Sequence, residues 1–463
     1  MDSKKFDKTK QVLDSIGCGF CLAKWTQVTM HLQTGLNHSC HHPAVHKIPL
    51  EEIKVNPKAL HNTKFKKTKR REMLQGKRPS ECDYCWNIED NSTSYSDRIY
   101  KSAEPWSEPH LEEIVNARWN EDFNPRYVEV SFSNTCNFKC SYCSPGYSSP
   151  WFQEIKQYGG YPTSNNYNSL DHLAASDSMP ILHSEFNPYV EAFWSWWPEL
   201  YKDLHTFRIT GGEPLLSKDT WQVLDYIIEH PNPNKNLKFA INSNLGVEDA
   251  LIDKLIQKLE RIINEDRVKE VIIFTSADSW GSHAEYIRYG LEFSKFWDNI
   301  NKILHILPKV TITVMSTYNM LSPFRYNELL RNINTVKKQH HNPDRYWQHP
   351  ILLDTSYLRY PAHQSVKLLT EEHKKLILGN AEQALYLGVP IFDNVHMGIT
   401  QVETEKIKRI YDWAISPIEE SELTVNRKDF IKFVDEHDKR RGTNFIKTFP
   451  ELEDFYKTIK HGY

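Results

Sequence analysis

Residues 127–146 read YVEVSFSNTCNFKCSYCSPG, and the change of pattern in the middle decides the fold. Tyr127–Ser133 is a short β-rich run. Directly after it come Cys136, Cys140 and Cys143, a Cx3Cx2C group that puts three of the chain's eight cysteines into eight residues. Three thiols so close cannot all pair with one another, whereas a metal centre uses all three at once. Soft thiolates favour zinc or iron–sulfur clusters. A structural zinc wants a fourth ligand. A cubane cluster held by three cysteines instead leaves one iron open to an external ligand.

Outward from this stretch the pattern repeats. Further β-rich runs lie at Thr206–Thr210, Leu237–Ser243, Glu270–Ser276 and Lys309–Thr317, with a sixth at Pro350–Ser356. The segments between them are longer, and several are helical in period, such as Asp249–Ile263. Strands alternating with helices predict parallel βαβ units with functional groups at the strand C-terminal ends, where the triad also falls. The expected fold class is α/β, a partial TIM-like (β/α)6 barrel over residues 125–360. Residues 1–98 hold the other five cysteines and many histidines, with little periodicity, and are expected to form a separate cysteine-rich domain. Residues 99–124, with Pro105 and Pro109, are expected as a linker and short helix, and 361–463 as amphipathic helices capping the barrel. The long first crossover holds Trp194, Trp196 and Trp197, whose helical spacing fits core packing, and a loop, 159–169, whose composition suits a lid.

The 463 residues include 13 Trp, 23 Tyr and 21 Phe, ample material for a core, and the formal net charge is −3. That balance gives no global reason to expect nucleic acid or an acidic membrane as partner. Residues 1–11, MDSKKFDKTKQ, carry no apolar stretch of the secretory kind. Runs such as Val271–Phe274 are far below the ~20 apolar residues a bilayer needs. A cytoplasmic, reducing setting is expected, in which clustered cysteines are metal ligands sooner than disulfides. The run KFKKTKRREMLQGKR has eight Lys or Arg between Lys64 and Arg78. It reads either as a solvated helix face, the commoner case, or as a patch for phosphates or an acidic partner.

Cx3CxΦC after a first strand, with Tyr142 before the last cysteine, resembles the radical S-adenosylmethionine (SAM) enzymes. The second strand ends in Gly211-Gly212-Glu213-Pro214, similar to that family's GGEP loop, which binds the SAM amino group. The third ends in NSN, putting Asn242 and Asn244 where the family often has a ribose contact; a strand-end Asx turn is the other reading. The fourth, with Ser276 and then Arg288, is similar to the peptide-modifying branch, where such residues contact the SAM carboxylate and ribose region. Arg288 could equally pair with Glu285 on a helix face, and Asp278 could be only a helix N-cap. The resemblance implies a 4Fe–4S cluster on Cys136, Cys140 and Cys143. It also implies reductive cleavage of SAM to a 5′-deoxyadenosyl radical that abstracts hydrogen from a substrate, a peptide or protein by the fourth-strand likeness. An electron donor such as flavodoxin or ferredoxin is implied as partner. No side-chain acid or base is needed for that first step.

The remaining cysteines follow a second pattern. Cys21 is followed by thirteen residues, Gly35, four residues and Cys40, and later by Cys82-x2-Cys85. This is similar to the opening half of the auxiliary-cluster motif of SPASM and twitch domains, placed before the barrel as in the N-terminal twitch radical SAM proteins. It implies a second, closed iron–sulfur cluster on Cys21, Cys40, Cys82 and Cys85. A tetrahedral zinc on the same four, with His38, His41 or His42 as substitutes, is the alternative, and Cys18 is a fifth candidate thiol. The rival function is a non-catalytic zinc or iron–sulfur protein that binds nucleic acid or a partner through the basic run.

Overall fold

The computed structural model describes residues 3–165, 168–342, 349–388 and 398–462. Eleven strands form among the described residues. Three precede the triad: β1 (Gln27–His31), β2 (Leu36–His38) and β3 (His46–Lys47). Then come β4 (Tyr127–Ser131), β5 (Lys139–Cys140), β6 (Thr206–Thr210), β7 (Lys238–Asn242), β8 (Glu270–Ser276), β9 (Arg288–Tyr289), β10 (Thr311–Tyr318) and β11 (Ile351–Tyr357). Nine of them make one sheet in the order β11-β10-β8-β7-β6-β4-β1-β2-β3.

The six predicted strands are β4, β6, β7, β8, β10 and β11, adjacent in chain order and all parallel. Each is followed by at least one helix, so this part is the expected partial barrel. Alternation explains its packing. Val128, Val130, Phe207, Ile209, Phe239 and Ile241 point outward against the helices and are fully buried, each contributing roughly 1.5–3 kcal/mol. Their neighbours point inward, where Glu129 is paired with Arg208 in register.

The sequence did not foretell what happens before β4. β1 pairs in parallel with β4, Gln27 beside Tyr127 through His31 beside Ser131, and β2 and β3 continue antiparallel. The sheet thus runs unbroken from the cysteine-rich segment into the barrel. Residues 1–124 divide between two cores. Val28, Met30 and Leu32 join the main one, while Leu13, Phe20, Leu22, Trp25, Met73, Ile99, Ile114 and Phe123 form a smaller one. The expected linker is largely ordered, with helices at Asp97–Ser102 and Leu111–Asn116.

Two clamps hold the barrel's crossovers. In the helix Pro188–Asp203, Trp196 and Trp197 are buried, and the Trp194 indole N–H donates to Asp219 (2.8 Å), so this cluster serves the core. The C-terminal helix Glu420–Arg441 reaches back to the helix Ser149–Tyr158 that follows the triad. Arg441 makes two bonds of 3.1 Å to Glu154 and donates 2.6 Å to the Lys139 carbonyl. Arg440 donates to the Gly159 and Gly160 carbonyls. In the crossover loop 159–169, residues 166 and 167 lie outside the described residues. At the far edge, Glu403 accepts the Leu353 N–H of β11 (2.7 Å) and the buried Lys337 ammonium (2.6 Å).

Candidate cofactor site

The triad loop leaves β4 and returns through β5, whose Cys140 pairs antiparallel with Arg288 of β9. The loop is held from inside, because the Ser141 N–H donates to the Ile287 carbonyl (2.7 Å) and the Trp151 indole to the Cys140 carbonyl (2.8 Å). The Phe138 N–H points at the Cys136 sulfur (3.4 Å). Burial pushes all three thiols upward, Cys143 to about 12. As free thiols they are inert, so taking up a metal would expel protons.

Opposite the triad stands the Gly-Gly turn. Gly211 has φ +121°, and a Cβ on Gly212 would lie 2.2 Å from the Thr135 carbonyl oxygen. The Glu213 N–H donates to that same oxygen (2.7 Å). Only residues without a side chain let the second strand end close on the triad loop.

Between them opens a cavity of about 570 Å³ at the C-terminal ends of the strands. Cys136, Cys140 and Cys143 line it, together with Tyr142, Gly211, Gly212, Asn242, Asn244, Ser276 and Arg288. Glu213 and Pro214 sit behind this wall. The Glu213 carboxylate is fully buried and accepts from the Leu215 N–H (3.0 Å), the Ser243 hydroxyl (2.9 Å) and the Asn244 N–H (2.6 Å). Burial raises its carboxyl to about 7.

The other strand-end residues have defined partners. Arg208 Nε donates 2.7 Å to the Asn242 side-chain oxygen. Asn244 makes an Asx turn, accepting from the Gly246 N–H (2.8 Å), and its amide also donates to Asn137 in the triad loop (2.7 Å). Arg288 pairs with Asp278, Nε to Oδ2 at 2.9 Å, and not with Glu285, which accepts from the Phe293 N–H. It also donates to the Tyr142 hydroxyl and lies 3.8 Å from the Cys140 sulfur. Asp278 is therefore the hub of a buried network beside the triad, also accepting from Tyr142 (2.8 Å) and the Thr317 N–H (2.8 Å).

Sequence reasoning missed the outer wall. Thr34, Leu36 and Val45 of the N-terminal hairpin line it, with Tyr147, Leu173 and Tyr360. No sequence pattern marked them; the parallel pairing of β1 with β4 places the hairpin at the barrel mouth.

The second cysteine group also shares a cavity. Cys21, Cys40, Cys82 and Cys85 line one narrow cavity with Lys24, His42, Met73, Trp86 and Asp97, and Cys18 does not. Cys18 is exposed, its sulfur 3.0 Å from the Gly76 carbonyl. Burial raises the four thiols, Cys85 to about 12. The donor set suits a thiolate-bound centre, and the void among the sulfurs is about 20 Å³. His38 faces away, its Nδ1 against the Cys40 carbonyl and its Nε2 3.3 Å from His31. Among the described residues no three His, Cys, Asp or Glu side chains converge as ligands of one ion do, so the fit rests on donor chemistry and on which residues share each cavity.

No family model matches the chain. Over 134 residues it is 27% identical to GTP 3′,8-cyclase of Limosilactobacillus fermentum (strain NBRC 3956 / LMG 18251), a match covering 28% of this chain and 32% of that protein. The chain thus spans about a third of that relative's length. Native anSMEcpe with bound AdoMet and Cp18Cys peptide aligns at TM-score 0.31 and 13% identity, over 72% of this chain and 99% of that one. A histidine-tagged form of anSMEcpe with bound AdoMet aligns at 0.30 and 13%, over 73% and 96%. Both structural likenesses are too weak to bear on substrate. The chain is similar to the cyclase over those 134 residues, and its own three thiols and two glycines face one another across one cavity.

Proposed function

We propose that the chain is a radical SAM enzyme in which Cys136, Cys140 and Cys143 hold a 4Fe–4S cluster. The observation that carries this is the shared cavity, lined by ten residues from the ends of β6, β7 and β8, from the start of β9 and from the triad loop. When bound, the cluster and SAM supply one-electron cleavage of SAM and a radical that takes hydrogen from substrate. The chain's own residues do the positioning. Arg288 sets a positive charge beside the Cys140 sulfur and is held there by Asp278. The Gly-Gly turn brings backbone polar groups to the cavity edge. Asn242 and Ser276 present polar groups to the ligand.

A peptide or protein substrate fits the outer wall of Thr34, Leu36, Val45, Tyr147, Leu173 and Tyr360, which carries no charge of its own. Residues 1–98 are read as a twitch-like domain before the barrel, and a flavodoxin- or ferredoxin-type donor supplies the electron. Free cysteines throughout suit a reducing, cytoplasmic setting. No helix among the described residues is long and apolar enough to cross a membrane. The nucleic-acid reading is weakened at the basic run. Lys66 and Arg70 face inward, and Lys67, Lys69 and Arg78 are paired with Asp122, Glu72 and Asp90.

Changing Cys136, Cys140 and Cys143 together to Ala tests the assignment. Anaerobically prepared protein should lose 5′-deoxyadenosine formation and about four irons. Undiminished SAM cleavage would overturn the reading. For the second group we read an iron–sulfur cluster, with one zinc ion on the same four cysteines as the alternative. Metal analysis of the Cys82/Cys85 double Ala variant decides, by whether iron or one equivalent of zinc disappears.

A further inference from the structure

The segment after β11 closes on the triad loop from the far side of the barrel. β4 and β11 stand at opposite ends of the six-strand run. Yet Gln364, in the one-turn helix Ala362–Gln364, reaches Ser141, which sits between Cys140 and Tyr142. Two bonds join them. The Ser141 hydroxyl donates to the Gln364 side-chain oxygen (2.8 Å), and the Gln364 amide nitrogen donates to the Ser141 carbonyl (3.1 Å). The orientation of the amide is forced. A carbonyl can only accept, so the nitrogen must face it and the oxygen must face the hydroxyl. The same nitrogen lies 3.5 Å from His363 Nε2. Gln364 and Ser141 are both at 0% exposure, where a polar group left without its partner is costly.

Ser141 is thereby held at every polar group, since its N–H already donates to Ile287. The cysteines on either side are tied to it. Cys140 precedes it directly, and the Cys143 N–H donates back to the Cys140 carbonyl (3.0 Å). Gln364 is anchored in turn through its main chain. Its carbonyl accepts the Met320 N–H (2.9 Å), just past β10, and its N–H donates to the Pro361 carbonyl (3.1 Å). Gln364 is not among the residues that line the cavity, so what it supplies there is placement. We propose that Gln364 is a positioning residue of the triad: clasping Ser141, it fixes where Cys140 and Cys143 stand across the cavity from the Gly-Gly turn. This rests on the cluster assignment above and goes beyond it, by naming a residue outside the cavity that sets how cluster and SAM meet. Placement matters at this scale, because a shift of about 1 Å caused from a distance can cost about 10²-fold in rate.

The test compares Gln364→Met, which keeps the length and removes both bonds, with Ser141→Ala, which removes one. In metal-free protein, hydrogen exchange over residues 139–143 should quicken in both variants, and more in Gln364→Met. In anaerobically loaded protein, Gln364→Met should keep the parent's iron content while 5′-deoxyadenosine forms about 10–100-fold more slowly. Saturating SAM should not restore the rate, because the loss lies in kcat. The change that SAM makes in the triad's EPR signal should differ from the parent's. The double variant should be no slower than Gln364→Met alone, because the two side chains act as one unit. An unchanged rate at full iron content, an unchanged EPR response to SAM, or a double variant in which the two losses add overturns the proposal. So does a loss of rate that only follows lost iron or a lower melting temperature, the mark of a residue that serves folding alone. If Gln364→Met fails to fold, Ser141→Ala carries the same measurements, with a smaller loss of the same kind expected. A parent protein that forms no 5′-deoxyadenosine with its triad intact fails the cluster reading instead.

Discussion

Glu213 is where sequence and structure diverge most usefully at the scale of single residues. The motif suggests a carboxylate directed at a ligand ammonium, whereas the structure surrounds it with three donors from two loops. Glu213→Gln would set an amide NH2 against one of those donors and shift residues 243–245, a cost of roughly 1–3 kcal/mol. We expect weaker SAM binding together with a lower melting temperature. A loss of affinity at unchanged stability would mark direct contact with the ligand. Gly212→Ala is expected to be harsher, since its new methyl meets backbone at 2.2 Å, which cannot yield as a flexible side chain does. Calorimetry should find no SAM binding in that variant even where iron content is kept. The cysteines and glycines were legible because their chemistry depends on residue type and spacing. The Arg208–Asn242 and Arg288–Asp278 bonds were not, because strand register decides them.

At the scale of elements, the helix Glu420–Arg441 is more than a cap. Its Arg441 is fully buried against Glu154, itself on the helix next to the triad. Burial raises the Glu154 carboxyl, but bonds from Arg441 and Lys139 outweigh that and hold it at about 2. A carboxylate lowered in the folded state contributes stability that is complete above its ordinary value near 4.5 and lost as pH falls toward 2. The parent should therefore lose stability through that window, and Glu154→Gln should not show this component. Arg441→Met leaves the carboxylate with Lys139 (2.6 Å) and Tyr161 (2.8 Å) as its remaining partners, a cost of about 1–3 kcal/mol. Hydrogen exchange should report it as faster exchange in both helices, and unchanged exchange would refute the clamp. The six barrel strands were readable to within two residues because each is a β-rich run between turn signals. The contact between Arg441 and Glu154 spans 287 residues, a distance no local pattern encodes.

For the molecule as a whole, the continuous sheet sets the expectation. Removing residues 1–98 would strip β1 from β4 and bare a barrel strand along its length, as well as the outer wall of the cavity. We expect such a shortened chain to aggregate and not to fold as a monomer; a soluble, cooperatively melting product would show the two parts to be independent. The hairpin was invisible in sequence because β1, β2 and β3 are five, three and two residues long. Any open sheet has two margins at which a second chain could dock strand to strand. Here one margin is the two-residue β3, ending in an exposed lysine. At the other, Glu403 occupies the Leu353 N–H that a stranger would need, and Lys337 locks that carboxylate in place. Among the described residues, one margin of the nine-stranded sheet is thus short and the other is obstructed at its Leu353 N–H, and copies of the chain should stay separate at concentrations where bare-edged sheets would stack.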